Sequence, residues 1–198
     1  MVVPPGRIGR SPRWDTEGAG GLAGQPWRYL GIGELDGLIG RIRKASTRLA
    51  GLQGRVESGA PWPLSERFGA EPEASWGPPE ALAHIAEMLP FWQGEIERIL
   101  AGPIEPVPFG RTATDELRIG VIERDRSLPP RELFDRVAAG AERMARRLAQ
   151  LSPAEAGRHG LHPRLGEMSI AEVTGRFVAG HLEEHADQLT EILASREA

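Results

Sequence analysis

The sequence predicts an all-α protein, a four-helix bundle with a long crossover connection between helices 2 and 3. Four stretches carry apolar residues at three- and four-residue spacings, the pattern of helices that bury one side. No run shows the alternation of apolar and polar residues that is typical of strands, so we expect none. The roughly 27 residues between the second and third helices are too many for a tight hairpin.

The chain is predicted to divide into a flexible tail, residues 1–33, and a bundle domain, residues 34–198. The tail holds 8 Gly and 4 Pro without helical periodicity. Such a stretch buries too little apolar surface to offset the entropy lost on ordering. The first helix is expected over about 34–58, because prolines and glycines interrupt the pattern in residues 59–75.

The next two long helices are marked by proline. Pro78 and Pro79 suit the first turn of the second helix, where a missing N–H has no partner to lose. Gly102 and Pro103 end that helix. A short helix over about 114–123 is expected within the crossover, and the third long helix over about 129–151.

The last helix has the clearest start. Ser169 and Glu172 have the spacing of a capping box, in which the serine oxygen accepts the N3 amide and the glutamate reaches back. The helix is expected to run from there to about residue 195.

Composition excludes several classes of protein. The chain is 40% hydrophobic and 26% charged, and no stretch has the roughly 18–20 apolar residues of a membrane helix. Its start does not resemble a secretory signal, so we expect a cytoplasmic protein without a membrane partner. The absence of cysteine excludes disulfides and a protein thiol nucleophile. A net charge of −4 argues against nucleic acid as a partner.

Three histidines are candidate metal ligands. His181 and His185 are four residues apart on the last helix, so their imidazoles project to one side. His84 lies on the apolar side of the second helix. Burying three neutral imidazoles is costly unless each nitrogen has a partner, and one divalent ion would satisfy all three. Core histidines with polar partners remain the alternative.

Three segments resemble the DinB-like superfamily, in the order that the family has them. Residues 76–86 around His84 resemble its second helix, 162–170 the loop before its fourth helix, and 181–189 its HxxxHxxQ ending. The resemblance covers about residues 34–195. It implies a four-helix bundle with a three-histidine metal site formed by His84, His181 and His185. Gln188 would then be a catalytic residue, or else a polar contact inside the bundle.

The family includes transferases that use bacillithiol or mycothiol, so the resemblance favours a metal-dependent S-transferase acting on small electrophiles. A low-molecular-weight thiol would be its cosubstrate, and the ion would be Zn or Ni, with Fe and Co as alternatives. A metal-dependent hydrolase and a non-enzymatic metal- or ligand-binding bundle stay open. We expect a small-molecule substrate, and either a monomer or a homodimer.

Overall fold

Four long helices form the body of the protein. The computed structural model describes residues 32–197, and the helices begin with α1 (Ile32–Ser58) and α2 (Pro78–Ala101). The others are α3 (Glu116–Asp125), α4 (Pro130–Leu148), α5 (Pro153–Ala156), α6 (Ile170–Val173) and α7 (His181–Glu197). A π-helical stretch, Thr174–Gly180, joins α6 to α7 without a break, and we call it the π turn. We call α6, the π turn and α7 together the last helix.

The packing confirms the predicted bundle. Both α1 and α2 pack against α4, and both also pack against the last helix. The order around the bundle is therefore α1, α4, α2, last helix, with α1 and α2 at opposite corners. The connection between α2 and α4 is the long crossover, and it contains α3, which packs on α2.

The predicted helix limits are close to those observed. The first helix begins two residues before its predicted start, and α4 ends three residues before the predicted 151. Ser169 and Glu172 form the predicted capping box. The predicted tail, residues 1–33, lies outside the described residues except for its last two, which belong to α1.

The prediction that the chain has no strands was wrong. A small sheet contains β1 (Val107–Pro108), β2 (His159–His162) and β3 (Gly166–Ser169). Strand β1 pairs parallel to β2, and β2 pairs antiparallel to β3. Strands of two to four residues are too short to produce a visible alternation. The sheet joins the crossover to the hairpin that precedes the last helix.

Gly160 shows how closely this sheet packs on the bundle. A Cβ atom at that position would lie 2.5 Å from Phe109 and 2.8 Å from Ile99. Both neighbours are buried, so only glycine lets β2 lie against α2. None of the helices within 32–197 combines the length and the apolar character that a membrane crossing requires.

Candidate metal centre

The second helix presents His84 to the bundle interior. Gly77 is the N-cap of α2 and Pro78 and Pro79 follow it, as their fixed φ favours. His84 lies two turns further along, between Ala83 and Ile85, and only 4% of it is exposed. An imidazole this deep in an apolar helix face requires polar partners.

The structure brings the three predicted histidines together. The Nε2 atoms of His84 and His181 are 2.8 Å apart, and those of His185 and His181 are 3.2 Å apart. His185 is fully buried, whereas 19% of the His181 side chain is exposed. The three rings therefore direct their Nε2 atoms at one small volume between α2 and the last helix.

Glu73 is a fourth member of this cluster, and it was not predicted from the sequence. Its Oε2 lies 3.4 Å from His181 Nε2 and 3.7 Å from His84 Nε2. Arg118 donates a hydrogen bond to the other carboxylate oxygen. Glu73 opens a short 3₁₀ turn, Glu73–Ser75, within the segment 59–77 that connects α1 to α2. A loop residue has no periodicity, so only the folded chain shows that it meets the histidines.

The outer nitrogen of His181 is held by a carboxylate. His181 Nδ1 lies 3.2 Å from Glu184 Oε2, one turn further along the helix. A proton on Nδ1 is donated to Glu184 and leaves the Nε2 lone pair facing the cluster, which is the arrangement metal-binding imidazoles use. Glu87, one turn beyond His84, pairs with Arg111 instead of with an imidazole.

Gln188 holds His185 and the Glu73 loop at the same time. Its Nε2 donates to the backbone carbonyls of Glu73 at 2.8 Å and Trp76 at 3.1 Å. Because both carbonyls require a donor, the amide oxygen must face His185 Nδ1, at 2.8 Å. His185 therefore carries its proton on Nδ1 and turns a free Nε2 lone pair to the cluster. All polar atoms of the Gln188 amide thus have partners within the chain.

Burial and charge set the protonation of the cluster. Burial lowers the pKa of His84 well below its usual value and, with the neighbouring His181, lowers that of His185 to about 3. Burial also disfavours the charged form of His181, but hydrogen bonds to Glu184 and Glu73 raise its pKa to about 9. Burial alone would raise the pKa of Glu73, yet His181 and Arg118 lower it to about 2. Without a metal, His181 is thus the one imidazole of the cluster that is doubly protonated and positively charged at neutral pH.

These four side chains are a group that could hold a divalent ion. One ring nitrogen of each imidazole and one Glu73 oxygen all lie within 4.8 Å of one another. Neutral imidazole nitrogen and carboxylate oxygen are donors that Zn and its neighbours in the first transition row accept.

A cavity elsewhere in the protein contains none of these four residues. It has a volume of about 340 Å³ and lies between the end of α1 and the starts of α2 and α4. Val56, Leu82 and Leu133 line it, together with prolines and Arg126. Leu82 and His84 are two residues apart on α2, so their side chains lie on opposite sides of the helix. This cavity is therefore separate from the metal centre.

Comparisons with known proteins agree with this architecture. No curated protein sequence matches the chain. The solved structure of YfiT from Bacillus subtilis, described as a probable metal-dependent hydrolase with an unusual four-helix bundle topology, superposes with a TM-score of 0.64. It is 16% identical, and the match covers 87% of this chain and 93% of YfiT. Residues 34–189 match the DinB superfamily, so the chain belongs to that superfamily.

Proposed function

We propose that the protein is a metal-dependent enzyme whose ion is held by His84, His181 and His185. The observation that supports this is the convergence of three buried or half-buried Nε2 atoms at 2.8 and 3.2 Å. One proton on His181 Nε2 cannot be donated to His84 Nε2 and His185 Nε2 at once, so a buried nitrogen is left without a donor, and an ion supplies what it lacks. Zn and Ni suit this donor set, with Fe and Co as alternatives.

Hydrolysis of a small molecule is the first candidate reaction. A divalent ion at the three nitrogens supplies Lewis acidity and lowers the pKa of a water or thiol. Hydrolysis also requires a nearby group that accepts the proton of the attacking water. Glu73 is the ionised carboxylate that lies beside the nitrogens, so it is the candidate acceptor, although its pKa of about 2 in the metal-free cluster makes it a weak base there. Hydrolysis is also the activity suggested for YfiT.

Thiol transfer is the second candidate, and the absence of cysteine in the chain is compatible with it. The nucleophile would be a low-molecular-weight thiol that binds as cosubstrate and attacks a small electrophile. In this reaction Glu73 would accept the thiol proton instead of a water proton. Both candidates use the same side chains, so activity assays must separate them.

The test starts with metal analysis of the purified, untagged full-length chain. Metal-loaded protein is then assayed with chromogenic esters, amides and phosphoesters, and in parallel with several cellular thiols plus an electrophile. The His185→Ala variant is the control in both series. Metal-dependent hydrolysis that is lost in this variant supports the first candidate, and thiol-dependent consumption of the electrophile supports the second. A metal-loaded protein without either activity would favour the non-enzymatic, metal-binding alternative.

A further inference from the structure

The Glu73 carboxylate occupies the place of a fourth ligand. In a four-coordinate site with bonds of about 2.0–2.1 Å, the ligand atoms lie about 3.3–3.4 Å apart. The separations within the cluster are 2.8 and 3.2 Å between nitrogens, and 3.4 and 3.7 Å from nitrogen to Glu73 Oε2. These distances scatter around the value that four ligands of one ion require.

The two oxygens of this carboxylate have different partners. Oε1 accepts a hydrogen bond from Arg118, whose side chain is buried and also donates to the Ala113 carbonyl at 3.0 Å. Oε2 faces the imidazole nitrogens. The bond to the Ala113 carbonyl fixes Arg118 to the crossover. Arg118 can therefore stay hydrogen-bonded to Oε1 while the carboxylate turns and Oε2 moves.

The backbone around Glu73 also differs from that around the histidines. The imidazoles come from two long helices that are packed in the core, whereas Glu73 comes from a single 3₁₀ turn. Ala74 and Ser75, which complete this turn, are exposed. Gln188 holds the carbonyl of Glu73 in place, so the movement falls to the Glu73 side chain, which is 19% exposed and can rotate without disturbing the apolar surface that the helices bury.

We infer that Glu73 is the fourth ligand of the resting site and that it leaves the ion, still paired with Arg118, when substrate arrives. This inference rests on the metal site of the proposed function. The closed four-ligand arrangement protects the ion in the absence of substrate. Its opening creates the free coordination position that catalytic sites require, and it leaves a carboxylate beside that position.

Cobalt spectroscopy tests the inference without an activity assay. Co²⁺ is bound to the full-length chain and to the Glu73→Gln, Glu73→Asp and Glu71→Gln variants, and the visible absorption spectra are compared. The Asp variant keeps the charge opposite Arg118 but withdraws the carboxylate from the ion. Glu71 lies in the same segment and contacts Ser65, so its variant is the matched control. Circular dichroism in the presence of chelator establishes that each variant folds.

The expected result is a wild-type spectrum for Glu71→Gln, and a changed spectrum with about tenfold weaker Co²⁺ binding for both Glu73 variants. Azide, used as a probe, should bind more tightly to Glu73→Gln than to wild type, since it no longer displaces a carboxylate. Spectra and azide affinities that are identical in wild type and Glu73→Gln would overturn the inference, while the three-histidine site would stand. Failure of the wild-type chain to bind Co²⁺ would overturn the proposed function as well.

Discussion

Replacement of Gln188 by alanine should weaken the fold and the metal site together. The substitution removes three hydrogen bonds, at 2.8 Å to His185 and at 2.8 and 3.1 Å to the carbonyls of Glu73 and Trp76. At about 1 kcal/mol each, their loss lowers the free energy of unfolding by about 3 kcal/mol. For a domain of this size, that corresponds to a fall of about 6–12 °C in melting temperature.

Metal affinity should fall in the same variant, by about 10–100-fold, because His185 loses the group that fixes its tautomer. Melting is followed by circular dichroism in chelator, and Zn²⁺ affinity by competition with a chromophoric chelator. Gln53→Ala is the control, since the Gln53 amide bonds to the Glu57 side chain on the same helix. If Gln188→Ala matched Gln53→Ala in both melting temperature and Zn²⁺ affinity, the assignment of Gln188 as a positioning residue would be refuted.

Four further predictions use the same two assays. His185→Ala should lose the metal-dependent rise in melting temperature, because a ligand stabilises only the state that binds it; an undiminished rise would contradict the ligand assignment. The proton on His181 must leave when the metal binds, so Zn²⁺ affinity should increase about tenfold per pH unit up to about pH 9, where that pKa lies; a flat profile between pH 6 and 8 would contradict this. Deletion of residues 1–31 should leave melting temperature and metal content unchanged, and a fall of more than a few degrees would show that Trp14 or Trp27 packs on the bundle. Deletion of Gly175 should convert the π turn to α-helix without turning His181 and His185 away from the cluster, because it removes the one extra residue that the π turn accommodates, so metal binding should be retained; loss of metal binding in a variant that circular dichroism still reports as helical would contradict this.

The parts of the fold that could be predicted are those that repeat along the chain. A buried helix face must place apolar residues every three or four positions, so each long helix is visible in the sequence. Some helix ends can also be predicted, because their capping hydrogen bonds are local, as in the capping box of Ser169 and Glu172. The strands were missed because β2 and β3, although they form a local hairpin, are too short to show alternation, and because β1 pairs with a segment about 50 residues away, in the register of Val107 with Gly160.

The candidate site could be predicted only where helical spacing applies. His181 and His185 share a side because they are one turn apart, and His84 stands out as a histidine on an apolar face. Glu73 could not be found in this way, because its position depends on the path of a loop. Its partner Arg118 comes from the crossover, which is equally free of periodicity. The three histidines of the cluster could therefore be predicted from the sequence, whereas Glu73 and its partner Arg118 could not.

The π turn determines which imidazole faces the solvent. Starting from buried Ile170, an unbroken α-helix would place its inward-facing residues near positions 177, 181 and 188. Val178, Leu182 and Leu189 are fully buried instead, a shift of one position that a single π turn produces. His181 therefore lies at the rim, next to the loop that carries Glu73, while His185 is fully buried. The same shift moves Gln188 away from the centre of the core and towards the backbone of that loop. One extra residue in the last helix thus gives the site both its opening and the contact that holds its loop.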